Sequence, residues 1–195
     1  MGVAFAAWTA SVDVNVNAKS GEMDVEIVKT KVLSSSDYVN FARKNIVVSA
    51  DKKEATVSID NLYPGGESVF TIQVKNTGTL PIELTSIAHT TIKVLDKDTN
   101  ASYGRNAEIF EYFNAEYTAE VIDKKSNTLG SLSTVSTSSV SEWDPEFYVD
   151  NDLIQIEPGE SLVLTVKVYL DDKALDNTEN KIFQFSITPI FGQAN

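Results

Sequence analysis

The chain has 195 residues, a formal net charge of −12 from 28 acidic and 16 basic side chains, and no cysteine. The absence of cysteine excludes disulfide bonds, thiolate metal sites and cysteine nucleophiles. A polyanion is also a poor partner for nucleic acid or for an anionic membrane surface. The length fits one domain that buries its own core. The acidic composition is compatible with an exported, soluble and cation-tolerant protein, and equally with charge that serves solubility alone.

The first part of the chain is apolar and then alternating. Residues 1–10 carry no charged side chain, and this stretch is too short for a membrane span, which needs about 20 residues. In residues 11–17, valines alternate with polar residues, which is the period of a β-strand. Residues 4–6 (AFA) match the small-x-small pattern of a signal cleavage site. We therefore predict secretion through an N-terminal signal, an extracellular or cell-surface location, and a separate N-terminal strand at residues 1–17.

Alternating apolar and polar residues predict short strands along the rest of the chain. These predicted strands lie at 23–27, 46–49, 55–59, 70–74, 162–168 and 182–190, and residues 80–94 are another β-rich stretch. Pro-Gly turns precede the strands predicted at 70–74 and 162–168. A polar cluster at 34–37 predicts the cap of a short helix through residues 38–43.

The stretch from residue 96 to residue 152 is less regular. Residues 107–122 fit either a helix or a strand, and we interpret them as a hairpin that carries some helix. The Ser/Thr-rich residues 130–141 indicate a surface loop or an exposed edge strand. Short alternating strands without a long amphipathic helix predict an all-β fold, a jelly-roll or immunoglobulin-like β-sandwich with short helical insertions. We predict one such domain over residues 18–195.

Two motifs in residues 55–87 carry a resemblance to a known family. The first motif contains Asn61, Leu62, Pro64 and Gly65, and the second contains Asn76, Gly78, Leu80 and Ile82. With the ends of the chain, IFQFSI at 182–187 and AWT at 7–9, this arrangement resembles the TasA/camelysin family of exported fibre proteins. The chain is also similar to archaeal bundling-pilus subunits and to tubule-forming cannula subunits.

The resemblance implies a jelly-roll subunit of a pilus, biofilm matrix fibre or tubule. Such subunits polymerise head to tail by donor-strand complementation and associate with other filaments by bundling. The residues that would fill the neighbour's groove are Val3, Phe5, Ala7, Trp8, Val12 and Val14. Two alternatives stay open: residues 1–17 fold as an ordinary first strand of their own domain, or the protein is a monomeric surface-layer or adhesion module. The local aromatic candidates for carbohydrate or protein recognition by such a module are Trp143, Phe147 and Tyr148.

Catalysis has little support in the sequence. His89 is the sole histidine, so neither an HExxH zinc motif nor a second histidine ligand exists. The chain also lacks a GxGxxG sequence and a Walker-type GK[ST] sequence. Although camelysin-type proteins have been described as proteases, we predict that this chain is not an enzyme and requires no cofactor.

Calcium is the one ligand that the sequence suggests. Asp96, Asp98 and Asn100 match the first three oxygen positions of an EF-hand loop, but alanines stand at its sixth and twelfth positions. A second acidic cluster includes Asp150 and Asp152. These residues are either calcium ligands or simply solvated loop charges. Asn100 also begins the chain's one N-x-[ST] sequon, which makes it a candidate for glycosylation.

Overall fold

The computed structural model describes residues 21–33, 43–89, 92–104, 108–139, 146–148, 155–174 and 180–194. This part of the chain contains thirteen strands and one 3₁₀ helix, Glu108–Tyr112. The strands are β1 Val25–Leu33, β2 Arg43–Val48, β3 Ala55–Asp60, β4 Glu67–Asn76, β5 Ile82–Ala88, β6 Ile92–Asp96, β7 Ser102–Gly104, β8 Phe113–Ile122, β9 Thr128–Ser139, β10 Glu146–Tyr148, β11 Gln155–Ile156, β12 Ser161–Leu170 and β13 Lys181–Gln193.

The strands form two antiparallel sheets. The five-stranded sheet has the order β1-β4-β12-β8-β9, and the other has the order β10-β5-β13-β3-β2, with β11 on β5, β6 on β13 and β7 on β6. We set aside the edge strands β1 and β2 and the short β7, and count β5–β6 and β10–β11 as one strand each. Numbered 1 to 8 along the chain, the remaining strands have the order 1-8-3-6 in one sheet and 2-7-4-5 in the other. That connectivity is a jelly roll. The prediction of an all-β jelly-roll sandwich is confirmed.

The core lies between the sheets and follows from the alternation. On β4, Phe70, Ile72 and Val74 are buried while the residues between them are more exposed. Strand β12 shows the same pattern. At one end of the core, the rings of Phe113 and Phe183 stack with centroids 4.8 Å apart. Burying such a side chain contributes about 1.5–3 kcal/mol, so these alternating faces stabilise the sandwich.

Most predicted strands appear where the alternation placed them, with longer bounds. Strand β1 continues six residues beyond the predicted end at Ile27, to Leu33. Residues 107–122 hold both predicted elements in succession, the 3₁₀ helix and then β8. Strand β8 forms its hairpin with β9, so residues 130–139 of the Ser/Thr-rich stretch lie, among the described residues, at the edge of the five-stranded sheet.

Some predictions fall on other parts of the chain. Residues 34–42, which hold most of the predicted helix, lie outside the described residues, and residue 43 begins β2. The predicted N-terminal strand also lies outside them. No helix in the described ranges has the length and apolar character needed to cross a membrane.

Candidate functional site

Two edge strands lie on the same side of the sandwich. Within the described residues, β1 pairs with β4 and β2 pairs with β3, so each is the last strand of its sheet. The two edges touch at one end, where the Ile27 N–H donates to the Lys52 carbonyl at 2.8 Å. The Lys52 ammonium also lies 2.8 Å from the Glu26 carboxylate. The edges of the two sheets therefore border a common cleft.

Apolar side chains line this cleft and are incompletely covered. Val32 pairs with the buried Phe70. Because paired residues of antiparallel strands point to the same face, Val32 faces the interior, yet it is 39% exposed. Val28, at the β-bulge, is 46% exposed. On β2, Ile46 and Val48 face inward and are partly buried against the core. An apolar seam thus runs between the edge strands.

A pocket of about 230 Å³ lies where β1 begins. Apolar side chains of β5 and β13 and the start of β1 form it, and one ion pair borders it. Its lining residues are Met23, Asp24, Val25, Lys53, Ile82, Pro189 and Phe191. The pocket lies beside residues 23–25, close to the first described residue of the chain.

The first motif forms the crossing from β3 to β4. Asn61 and Gly65 both have positive φ, 59° and 75°, which glycine and asparagine adopt most readily. Leu62 between them is buried in the core. The Gly65 N–H donates to the Leu170 carbonyl at 2.9 Å. The motif therefore carries the chain from one sheet to the other and fastens the turn to the end of β12.

The second motif is organised by a buried amide. Asn76 is 1% exposed. Its Nδ2 donates to the carbonyls of Leu80 and Ile156 at 2.8 and 2.9 Å, and its Oδ1 accepts the Gly78 N–H at 3.0 Å. Its backbone also bonds to the turn at Gly159 and Glu160. Asn76 thus joins the β4–β5 turn to the turn before β12.

His89 is placed in the core rather than in an open site. It is 3% exposed. Its Nδ1 lies 2.7 Å from the Ser186 carbonyl, and its Nε2 lies 2.9 Å from the Tyr117 hydroxyl. Because a carbonyl can only accept, Nδ1 carries the proton and Nε2 accepts from Tyr117. Burial raises the pKa of Tyr117 well above its usual value, so the phenol stays a donor. Both ring nitrogens are engaged by the protein, and the ring does not fit a metal ligand.

The acidic turn at 96–100 is organised by protein donors. Asp96 Oδ1 accepts the N–H groups of Asp98 and Thr99, both at 2.9 Å, and Oδ2 pairs with Lys181. The hydrogen bond from Lys181, followed by the backbone donors, lowers the pKa of Asp96 below its usual range. Asp98 accepts from the Asn180 amide at 2.8 Å. Asn100 is exposed and has a φ of 55°.

Across the described ranges, no group of three His, Cys, Asp or Glu side chains converges to hold a metal ion. Asp150 and Asp152 lie outside these ranges, so calcium binding stays a prediction, as does glycosylation of Asn100. The predicted donor residues Val3, Phe5, Ala7, Trp8, Val12 and Val14 and the aromatic Trp143 also lie outside them. Phe147 and Tyr148 belong to β10, which pairs with β5.

The sequence reasoning missed what the second motif holds. The amides of residues 77–80 bind the carbonyls of Glu22 and Asp24, and Lys53 pairs with Asp24 at 2.6 Å. These partners are separated by 29 to 58 positions along the chain. Local periodicity carries no signal for such a contact. Gly78 in the turn is the one residue type in the sequence that indicates a close approach of another segment.

Comparisons with known proteins complete the description. The profile described as camelysin metallo-endopeptidase matches residues 33–191. The chain has no significant match among curated proteins.

Two solved structures are similar. One is the enzymatically active domain of tailspike protein 4 of bacteriophage CBA120, with 7% identity over 85% of this chain and a TM-score of 0.36; the chain spans 19% of that protein. The other is TmCBM61 in complex with β-1,4-galactotriose, with 14% identity and a TM-score of 0.35. That match covers 87% of this chain and 91% of the other chain. Both TM-scores are too low for the similarity to bear on function.

Proposed function

The chain belongs to the camelysin metallo-endopeptidase family, and we propose that it is a structural subunit of an extracellular filament. In this proposal the N-terminal strand of one subunit fills the β1–β2 cleft of the next. Family membership supports a secreted structural or matrix role. The observation that carries the proposal is the incompletely covered apolar seam of Val32, Ile46 and Val48 between two edge strands.

The peptidase in the family's name does not fit the residues of this chain. Catalytic zinc sites take three protein ligands, mostly histidines with a carboxylate or cysteine. This chain has one histidine and no cysteine, and that histidine is buried with both ring nitrogens bonded to Ser186 and Tyr117. We therefore assign no metal-dependent step to the chain and propose a structural role rather than an enzymatic one.

The physical basis of assembly is strand addition. A sheet edge presents unpaired N–H and C=O groups, which template pairing with another chain. A strand added there gains main-chain hydrogen bonds, and its alternate side chains fill apolar pockets. Residues 1–10 supply small and apolar side chains, and residues 11–17 supply valines that alternate with polar residues; Asp13 is the one charged side chain among them. Each aliphatic or aromatic side chain that becomes buried contributes about 1.5–3 kcal/mol.

Donation between subunits also determines the shape of the assembly. The donor strand and the cleft are different surfaces of one chain, so the contact is heterologous and, unless the rotation closes, extends as a filament. A subunit charge of −12 opposes close packing of such filaments. Divalent cations, calcium in particular, would screen this repulsion at lateral contacts in bundles.

Electron microscopy of two proteins tests the proposal. The full chain should form uniform filaments in negative stain, and millimolar calcium should increase their bundling. A variant that lacks residues 1–10 should remain folded by circular dichroism and form no filaments. Filaments from the truncated variant would contradict donation through this strand. Monodisperse full-length particles, with and without calcium, would instead favour a monomeric adhesion module.

A further inference from the structure

The residues that follow the N-terminal arm, defined as residues 1–20, are held tightly against the domain. The N–H groups of Thr79 and Leu80 donate to the Glu22 carbonyl at 2.8 and 3.3 Å, and those of Thr77 and Gly78 donate to the Asp24 carbonyl at 2.9 and 3.0 Å. Two side-chain hydrogen bonds reinforce this ladder. They are Glu22 N–H to Thr79 Oγ1 at 2.9 Å and Thr77 Oγ1 to Asp24 Oδ2 at 2.8 Å.

A second contact holds the same segment from the other sheet. Lys53, in the β2–β3 turn, donates to Asp24 Oδ1 at 2.6 Å and to the Val25 carbonyl. The hydrogen bond from Lys53 lowers the pKa of Asp24 below its usual value. An ion pair with both side chains 42% exposed is screened by water and contributes little to stability. The hydrogen bonds from residues 77–80 therefore provide most of the anchorage, and Lys53 restrains the direction of the segment.

Gly78 is required at this turn because of close approach. A Cβ at Gly78 would clash with the Glu22 carbonyl oxygen and lie 2.6 Å from the Asp24 amide nitrogen. Both obstacles are backbone, which cannot swing aside as a flexible side chain does. The turn itself is immobilised, because the buried Asn76 accepts the Gly78 N–H and donates to Leu80. Any side chain at residue 78 must therefore push the segment 22–24 off the turn.

We propose that residues 77–80 and Lys53 form an arm clamp, which fixes the point and direction in which the N-terminal arm leaves the domain. This inference rests on the proposed function. In a head-to-tail filament, the exit direction of each arm sets the angle between one subunit and the next. A fixed exit gives a regular filament, whereas a loosened exit gives variable angles while the donor strand and the accepting cleft stay unchanged. The clamp residues are thus positioning residues for assembly.

The test separates arm positioning from folding and from strand binding. The variants are Gly78→Ala and Lys53→Gln, with Gly104→Ala as the matched control, since a Cβ at Gly104 meets no atom within 4 Å. Each protein is assayed by thermal unfolding and by negative-stain microscopy of its filaments. The same substitutions, placed in a chain that lacks residues 1–10, are assayed for binding of a synthetic peptide of residues 1–17.

We expect Gly78→Ala filaments to lose the layer lines that wild-type and Gly104→Ala filaments show in Fourier transforms. Lys53→Gln should weaken these lines without loss of folding. Peptide affinity should stay within about twofold of wild type in both variants. Unaltered layer lines in a folded Gly78→Ala or Lys53→Gln protein would overturn the clamp. Parallel loss of peptide binding would also overturn it, because the residues would then act on the cleft. Absence of filaments from the wild-type chain would refute the proposed function itself.

Discussion

Replacing Asn76 with alanine removes three hydrogen bonds from a residue that is 1% exposed. A buried backbone group left without its partner costs about 1–3 kcal/mol. The Ile156 carbonyl is buried and loses its bond in full, which we take as about 2 kcal/mol. The partners at Leu80 and Gly78 are part-buried, so water replaces some of each bond, and we take about 1 kcal/mol for each. The expected loss is about 4 kcal/mol in the free energy of unfolding, against about 5–15 kcal/mol for a typical domain.

Urea unfolding followed by circular dichroism measures this loss. The control is Asn114→Ala, because the Asn114 side chain donates to the part-buried Tyr112 carbonyl at 3.2 Å, two residues away. We expect the control to lose about 1 kcal/mol or less. The midpoint of Asn76→Ala should fall much further with an unchanged slope. A loss below about 1 kcal/mol for Asn76→Ala would refute the assignment of Asn76 as the residue that joins the two turns.

Three further predictions concern the core, the acidic turn and the single histidine. Phe113→Ala, which removes a 1% exposed ring, should cost about 3–5 kcal/mol in unfolding free energy; a loss below about 1 kcal/mol would contradict the packing of this core. The pKa of Asp96 is lowered in the folded state, so its pairing with Lys181 stabilises the protein above the ordinary carboxyl pKa of about 3.9 and is lost as the pH falls towards the folded value. Asp96→Asn should therefore lose less stability than wild type between about pH 5 and pH 2, and identical acid unfolding curves would contradict this linkage. Purified wild type and His89→Gln should both show only background hydrolysis of casein with added zinc; hydrolysis that a chelator abolishes in the wild type would refute the structural reading of His89.

The fold could be predicted because apolar, buried residues alternate with more exposed ones along its strands. In β3, β4 and β12 every second residue is buried, and a period of two in the sequence is enough to reveal this. Residues 107–122 were ambiguous for a physical reason. Ile109, Phe110 and Phe113 have helix-like spacing, while the strand that follows alternates from Phe113 onward. A sequence window that spans both elements mixes the helical period of the first with the two-residue period of the second, so neither period stands out.

The candidate site was less predictable because its contacts are distant in the sequence. The motif residues Asn61, Gly65 and Asn76 could be assigned to turns from residue type alone. The partner of the β4–β5 turn is a segment more than fifty residues earlier, which no turn propensity specifies. The exposure of Val28 and Val32 also depends on β1 being an edge strand, a property of sheet order rather than of β1 itself.

Disulfide trapping tests most directly whether the N-terminal strand is donated between subunits. The chain lacks cysteine, so cysteines introduced in the arm (Val12→Cys) and at the β1 edge (Val28→Cys) are the only two thiols of each subunit. Oxidation of this double variant should produce a ladder of dimers, trimers and longer chains on a non-reducing gel, whereas each single variant should stop at dimers. A double variant that yields only a faster-migrating, internally crosslinked monomer would place the strand in its own domain and contradict assembly by donation.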